Sequence, residues 1–112
     1  MDKATSADPP TPACITTRET PYGLWWRYRH AEGEPDATLT AVIMIACEVA
    51  GAEARRRGKT YVVASTPRPD TAVYVFACDH PDARAVAFNL MFEFTPDGQR
   101  IRHPGYRTAV RQ

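Results

Sequence analysis

Between residues 85 and 94 the chain alternates. Val86, Phe88, Leu90, Phe92 and Phe94 share one parity; Ala85, Ala87, Asn89, Met91 and Glu93 share the other. A period of two is the pattern of a strand with one buried face. Thr95-Pro96-Asp97-Gly98 follows, and then Gln99, Arg100, Ile101, Arg102 and His103 return. Pro-Asp-Gly between two such runs predicts a β-hairpin. A loop over 95–98 would set Phe94 opposite Gln99, Glu93 opposite Arg100, Phe92 opposite Ile101 and Met91 opposite Arg102. This register puts Phe92 and Ile101 in the core and two opposite charges, Glu93 and Arg100, on the outer face. A slip of one residue would bury both arginines.

The same reasoning places the other elements. Tyr22 to His30 reads as a strand with Leu24, Trp26 and Tyr28 on one face and Trp25, Arg27 and Arg29 on the other. Glu32-Gly33-Glu34-Pro35 is a loop, after which Asp36 or Thr38 is placed to cap a helix. The helix is expected from about Ala37 to Arg57. Its end is marked by Arg55-Arg56-Arg57 at the negative dipole end and by Gly58. Residues 41–47 are apolar all round, more than a helix lying on one sheet needs, so something is expected to cover the second side: a strongly curled sheet, a second subunit or a partner. Thr60 to Thr66 and Ala72 to Cys78 read as strands joined by Pro67-Arg68-Pro69-Asp70. Val73 to Ala77 is apolar on both faces, as in a central strand. Asp79-His80-Pro81-Asp82 is a turn, and Arg107 to Gln112 a frayed end.

The order is then β-α-β-β-β-β. It defines an α+β fold: one long helix packed on a curled antiparallel sheet, with the last four strands meandering as hairpins. Across residues 22 to 103 this order resembles both the cystatin-like grip and the hotdog fold. Tyr61-Val62-Val63-Ala64-Ser65 stands where cystatins carry Gln-x-Val-x-Gly. Here Tyr replaces Gln, Ser replaces Gly, and the Pro-Trp pair of the last hairpin is absent. The chain therefore lacks the residues of a cysteine-protease inhibitor.

Length changes the picture only by fixing one domain for 112 residues. Residues 1–13, rich in Pro, Ser and Thr, are expected as a flexible tail, and 14–112 as a single domain. A net charge of +1 gives no field toward DNA or an anionic membrane. The longest apolar run, Ala41 to Cys47, is short against the roughly 20 residues that span a bilayer, and Met1-Asp2-Lys3 opens no signal core. A cytoplasmic location with no membrane contact is the expectation. Three cysteines are too few for a disulfide framework, and Cys47 and Cys78 read as small core residues.

Candidate chemistry is sparse. Cys78-Asp79-His80 is the tightest cluster of catalytic residue types, but a turn with a surface histidine accounts for it. Cys14, Cys78, His80 and His103 have no paired metal-ligand spacing. The glycines are scattered and form no phosphate loop, so no cofactor is expected. Glu48 sits on an apolar helix, and burial there would make it a base, as a hotdog-like enzyme acting on an acyl ligand would need.

What remains is a surface. Trp25, Arg27, Arg29, Met91, Arg100 and Arg102 are the candidate interface, all on the outer sheet face. Trp, Met and Arg are enriched where proteins meet. The expected function is a small non-enzymatic protein-binding module (an inhibitor, adaptor or accessory subunit) that uses the outer sheet face and hairpin loops, with another protein or a second copy as partner. A small dimeric hotdog-like or cystatin-like-fold enzyme is the alternative. Single-stranded nucleic acid is a further alternative for the aromatic and basic face, set against the near-neutral charge.

Overall fold

A computed structural model describes residues 14–66, 71–81 and 89–102, with Asn89 and Arg102 described by their backbone alone. The elements are β1 (Ile15–Thr20), β2 (Gly23–Arg29), α1 (Asp36–Arg57), β3 (Tyr61–Ser65), β4 (Ala72–Ala77), β5 (Asn89–Phe94) and β6 (Arg100–Arg102). One helix packs on a six-stranded sheet in the order β1-β2-β4-β3-β5-β6, every pair antiparallel. The α+β class is as the sequence predicts. The expected tail at 1–13, the turn at 67–70, the strand residues 85–88 and the end from 103 onward lie outside the described residues.

Two features of the topology differ from expectation. β1 is an additional strand, so the order is β-β-α-β-β-β-β. The last four strands do not meander: β5 pairs with β3, leaving β4 between β2 and β3. β4 is the central strand, with Val73, Val75, Phe76 and Ala77 buried.

The helix begins after Pro35 with no side-chain cap, and Asp36 is its first residue rather than its cap. A proline at the boundary has its φ already set near the helical value. The other end is as predicted. Gly58 is left-handed at φ 66° and its N–H donates to Ala54 O at 2.8 Å. Two of the three arginines of the basic triplet are engaged within the chain. Arg56 and Arg57 bind Glu53 at 3.2 and 2.6 Å, and Arg57 also binds Glu19 at 2.8 Å. Burial works against the Glu53 charge, but hydrogen bonds from Arg57 and Arg56 outweigh it and hold the carboxyl below its usual range.

The sheet has a core on each face. On the helix side Trp26, Tyr28, Tyr61, Val63, Val73, Val75, Ala77 and Phe94 meet Val42, Ala46, Ala50 and Ala54. On the outer side Trp25, Val62, Ala64 and Phe76 form a second cluster with Tyr74 and Leu90. A bulge distributes β5 between them. Val63 pairs with Phe92 and Ala64 with Leu90, so Met91 is extra and Leu90 crosses to the outer cluster.

The final hairpin has the slipped register. Phe94 pairs with Arg100, Glu93 with Ile101 and Phe92 with Arg102. The loop is shorter than four residues because Thr95 and Gln99 are themselves bonded, the Thr95 N–H to Gln99 O at 3.0 Å. Gly98 closes the turn at φ 84°, with its N–H on Thr95 O at 2.7 Å. A three-residue loop ending in a left-handed glycine is a standard hairpin closure. Ile101 is therefore not a core residue and stands exposed. Arg100 is not buried either, because β6 is the sheet edge and only the rim of the helix reaches it.

The loop between β2 and α1 is tied by one polar cluster. The Tyr28 hydroxyl donates to Glu34 Oε1 at 2.7 Å and lies 2.9 Å from His30 Nδ1; the Ala31 N–H donates to the same Glu34 oxygen at 2.9 Å. Burial, then the bond to Glu34, raise the Tyr28 phenol well above its ordinary value. The Ala31 N–H, then the Tyr28 hydroxyl, hold the Glu34 carboxyl below its ordinary 4.5. A depressed carboxyl contributes stability that is complete above its unfolded value and lost as pH falls through the folded one. Acid unfolding of the wild type is therefore expected to begin with exchange of the 30–34 amides below about pH 4.5. Glu34→Gln should remove that pH-dependent step in an amide-exchange series. An unchanged pH profile in the variant would show that Glu34 does not hold the loop.

Candidate functional site

The helix carries its apolar groups in an unusual arrangement. The residues it buries are small: Val42, Ala46, Ala50, Gly51 and Ala54. This spacing of three to four residues makes one narrow stripe, and small side chains let the helix lie close on the sheet. The larger residues face elsewhere. Met44 is 66% exposed and Ile45 39%, while Ile43 and Cys47 are half-buried at the edge of the contact. By length and composition this helix is also apolar enough to cross a bilayer, more so than the run at 41–47 suggests on its own, but its stripe of small residues packs on the sheet.

Beside it lies a groove of about 420 Å³ between α1 and the β5–β6 edge, lined by Ile43, Met44, Cys47, Glu48, Phe92, Phe94 and Arg100. The hairpin register makes this groove. Because Arg100 pairs with Phe94, it falls on the helix side and its guanidinium lies 5.2 Å from the Phe92 ring centre. It also lies on the Cys47 side of the groove, where its charge favours the thiolate. Burial pushes the Cys47 thiol up, and Arg100 only partly offsets this. Glu48 is exposed at the rim, one helical turn beyond Met44. It is not the buried carboxyl that a base on this helix would require.

The outer face is not the open mixed surface the sequence suggests. Trp25 is only 8% exposed; it stacks on Phe76 at 5.2 Å between centroids and meets the Tyr74 edge at 5.6 Å. His80 is buried against Trp25 at 4.7 Å and Tyr22 at 5.4 Å. Arg27 lies across from Tyr74 on the same face, and its Nε is buried with no hydrogen-bond partner among the described residues. Arg29 is exposed at the end of β2. Met91 sits at the bulge, half-buried. Arg100 is on the opposite side of the sheet, and the Arg102 backbone pairs with Phe92 at the far edge. The six candidate interface residues are thus not one surface: Trp25 and Arg27 share the outer layer, and Arg100 belongs to the groove.

The Cys78-Asp79-His80 cluster does not converge. Cys78 is exposed, not a core residue. Asp79 binds Lys59 at 3.1 Å, and the His80 ring is packed among aromatics. Desolvation, then Asp79 and Glu93, raise the Cys78 thiol, the opposite of what a nucleophile needs. Among the described residues no three His, Cys, Asp or Glu side chains come together as a metal site would require.

The groove itself was only half visible in the sequence. The all-round apolarity of residues 41–47 signals a second covered side, but which side depends on Ala46, Ala50 and Ala54 taking the sheet contact. No protein-family model, no curated protein and no solved structure matches this chain.

Proposed function

We propose that this protein is a small non-enzymatic binding module that docks a protein on the α1 groove. One observation carries this reading: the helix buries alanines and leaves Met44 and Ile45 in solvent. Packing alone would favour the reverse, since each buried large aliphatic side chain contributes about 1.5–3 kcal/mol. A helix that turns its large apolar groups outward is shaped for a partner. The docking surface is therefore the groove side of the helix and the β6 edge, with Arg100 as the site residue retained from the sequence. Glu48, exposed at the rim, serves as a polar contact rather than as a base.

Photo-crosslinking in cells tests the reading. A photoreactive residue at position 44 is expected to give discrete covalent protein adducts, identified by mass spectrometry. The same residue at Ala52, exposed on the same helix, should give none. Absence of any adduct at position 44, or equal adducts at both positions, would remove the groove as a docking surface.

A further inference from the structure

Both ends of a charge pair line the groove, and within one chain they do not meet. Glu48 projects from the helix and Arg100 from β6, with Met44, Ile43 and Phe92 completing the apolar floor. Among the described residues no ion pair joins Glu48 or Arg100 to another side chain, and the Arg100 guanidinium lies over the Phe92 ring. A partner that covers this groove must present an apolar surface with a base facing Glu48 and an acid facing Arg100. The chain's own groove is such a surface.

We infer that the occupant is a second copy of this chain, docked groove to groove about a two-fold axis near Met44. This inference rests on the groove being the docking surface and names its partner. A two-fold axis makes a contact self-complementary: what residue i makes with residue j, residue j makes with residue i. Each copy then sets Glu48 against Arg100 of the other, twice per dimer, around a centre of Met44 and Ile43 side chains. A small ligand with a single charge would satisfy Arg100 and leave Glu48 unmet, or the reverse. The two charges fix the docking register while the apolar centre supplies the affinity.

Light scattering and sedimentation equilibrium on the full chain over a dilution series test this. The wild type is expected at twice its 12.5 kDa mass when concentrated, dissociating on dilution. Glu48→Arg and Arg100→Glu each place like charges together twice, and each should weaken the dimer by about tenfold or more. The double variant restores opposite charges and should return to within about threefold of wild type. Met44→Asp should give a monomer that melts like the wild type at dilutions where the wild type is itself monomeric, since the side chain is exposed within one chain. A wild type that stays monomeric up to about 1 mM, or a dimer indifferent to all these changes, overturns the second copy. A different protein crosslinked at position 44, together with a monomeric pure chain, would overturn the second copy while the docking reading stands. No adduct at position 44 would end both.

Discussion

Phe76→Ala is expected to destabilise the fold by about 3–5 kcal/mol, the range for deleting a fully buried aromatic ring. Urea unfolding followed by the fluorescence of Trp25 and Trp26 would read it directly. The argument is specific to the outer layer. Phe76 points away from the helix, yet it is fully buried and stacks on Trp25 at an interplanar angle of 19°. It packs with Val62 and Ala64 on β3 and with Leu90, which the β5 bulge delivers to that side. Removing the ring deletes the centre of this cluster and leaves a hole that Val62, Ala64 and Trp25 cannot all close. Met44→Ala on the helix is the matched control and should change stability by less than about 0.5 kcal/mol, because Met44 is largely exposed. A Phe76→Ala loss below about 1 kcal/mol would mean that the outer layer is not a second core, and the expectation of an open outer face would return.

This contrast shows what the sequence made legible. Elements announced by strong local chemistry were readable. α1 ends at Gly58 because a cationic last turn and a left-handed glycine are local signals, and β4 is central because Val73 to Ala77 has no polar face. β1 was not readable. Its residues Thr16 to Glu19 are exposed on both faces, so no alternation marks them. It turns into β2 through Pro21-Tyr22, without the Asn-Gly or Asp-Gly signal of a tight hairpin. The register of the last hairpin was misread for one reason. Burial of two arginines was counted as prohibitive, while the helix covers only part of that edge and Arg100 remains exposed in the groove. The β5 bulge is one residue of backbone geometry that alternation cannot reveal, and it moves Leu90 from the expected inner face to the outer one. The candidate site followed from these misreadings. Alternation along β2 places Trp25 and Arg27 on the outer side, but joining Arg100 to them needs a hairpin register that the chain does not adopt. The residues that the helix gives the groove, Ile43, Met44, Cys47 and Glu48, face it because Ala46 and Ala50 take the sheet contact, and that depends on which stripe of an all-apolar helix meets the sheet.

Gly23→Ala is expected to cost about 2–6 kcal/mol, from two sources that a second substitution separates. Gly23 pairs with Thr20 at the β1–β2 turn and holds φ at 120°, where a side chain is strained by about 1–3 kcal/mol. It is also a point of close approach: an added Cβ would collide with the Tyr61 hydroxyl. That hydroxyl accepts the Leu24 N–H at 3.0 Å and so ties the start of β2 to β3 beneath the sheet. Displacing it leaves the amide without its partner, a further loss of about 1–3 kcal/mol. Tyr61→Phe alone should cost about 1–2 kcal/mol, since the ring stays and only the acceptor is lost. In the Tyr61→Phe background the collision with the hydroxyl and the hydrogen bond are both gone, leaving backbone strain and the lesser crowding against the ring carbon and Arg57 Cδ, each 3.3 Å away. Gly23→Ala should then cost at least about 1 kcal/mol less than it does in the wild type, a coupling that urea unfolding of the four proteins measures. Strictly additive losses would show that the Tyr61 hydroxyl does not set the size of residue 23. The glycine would then answer to the turn alone.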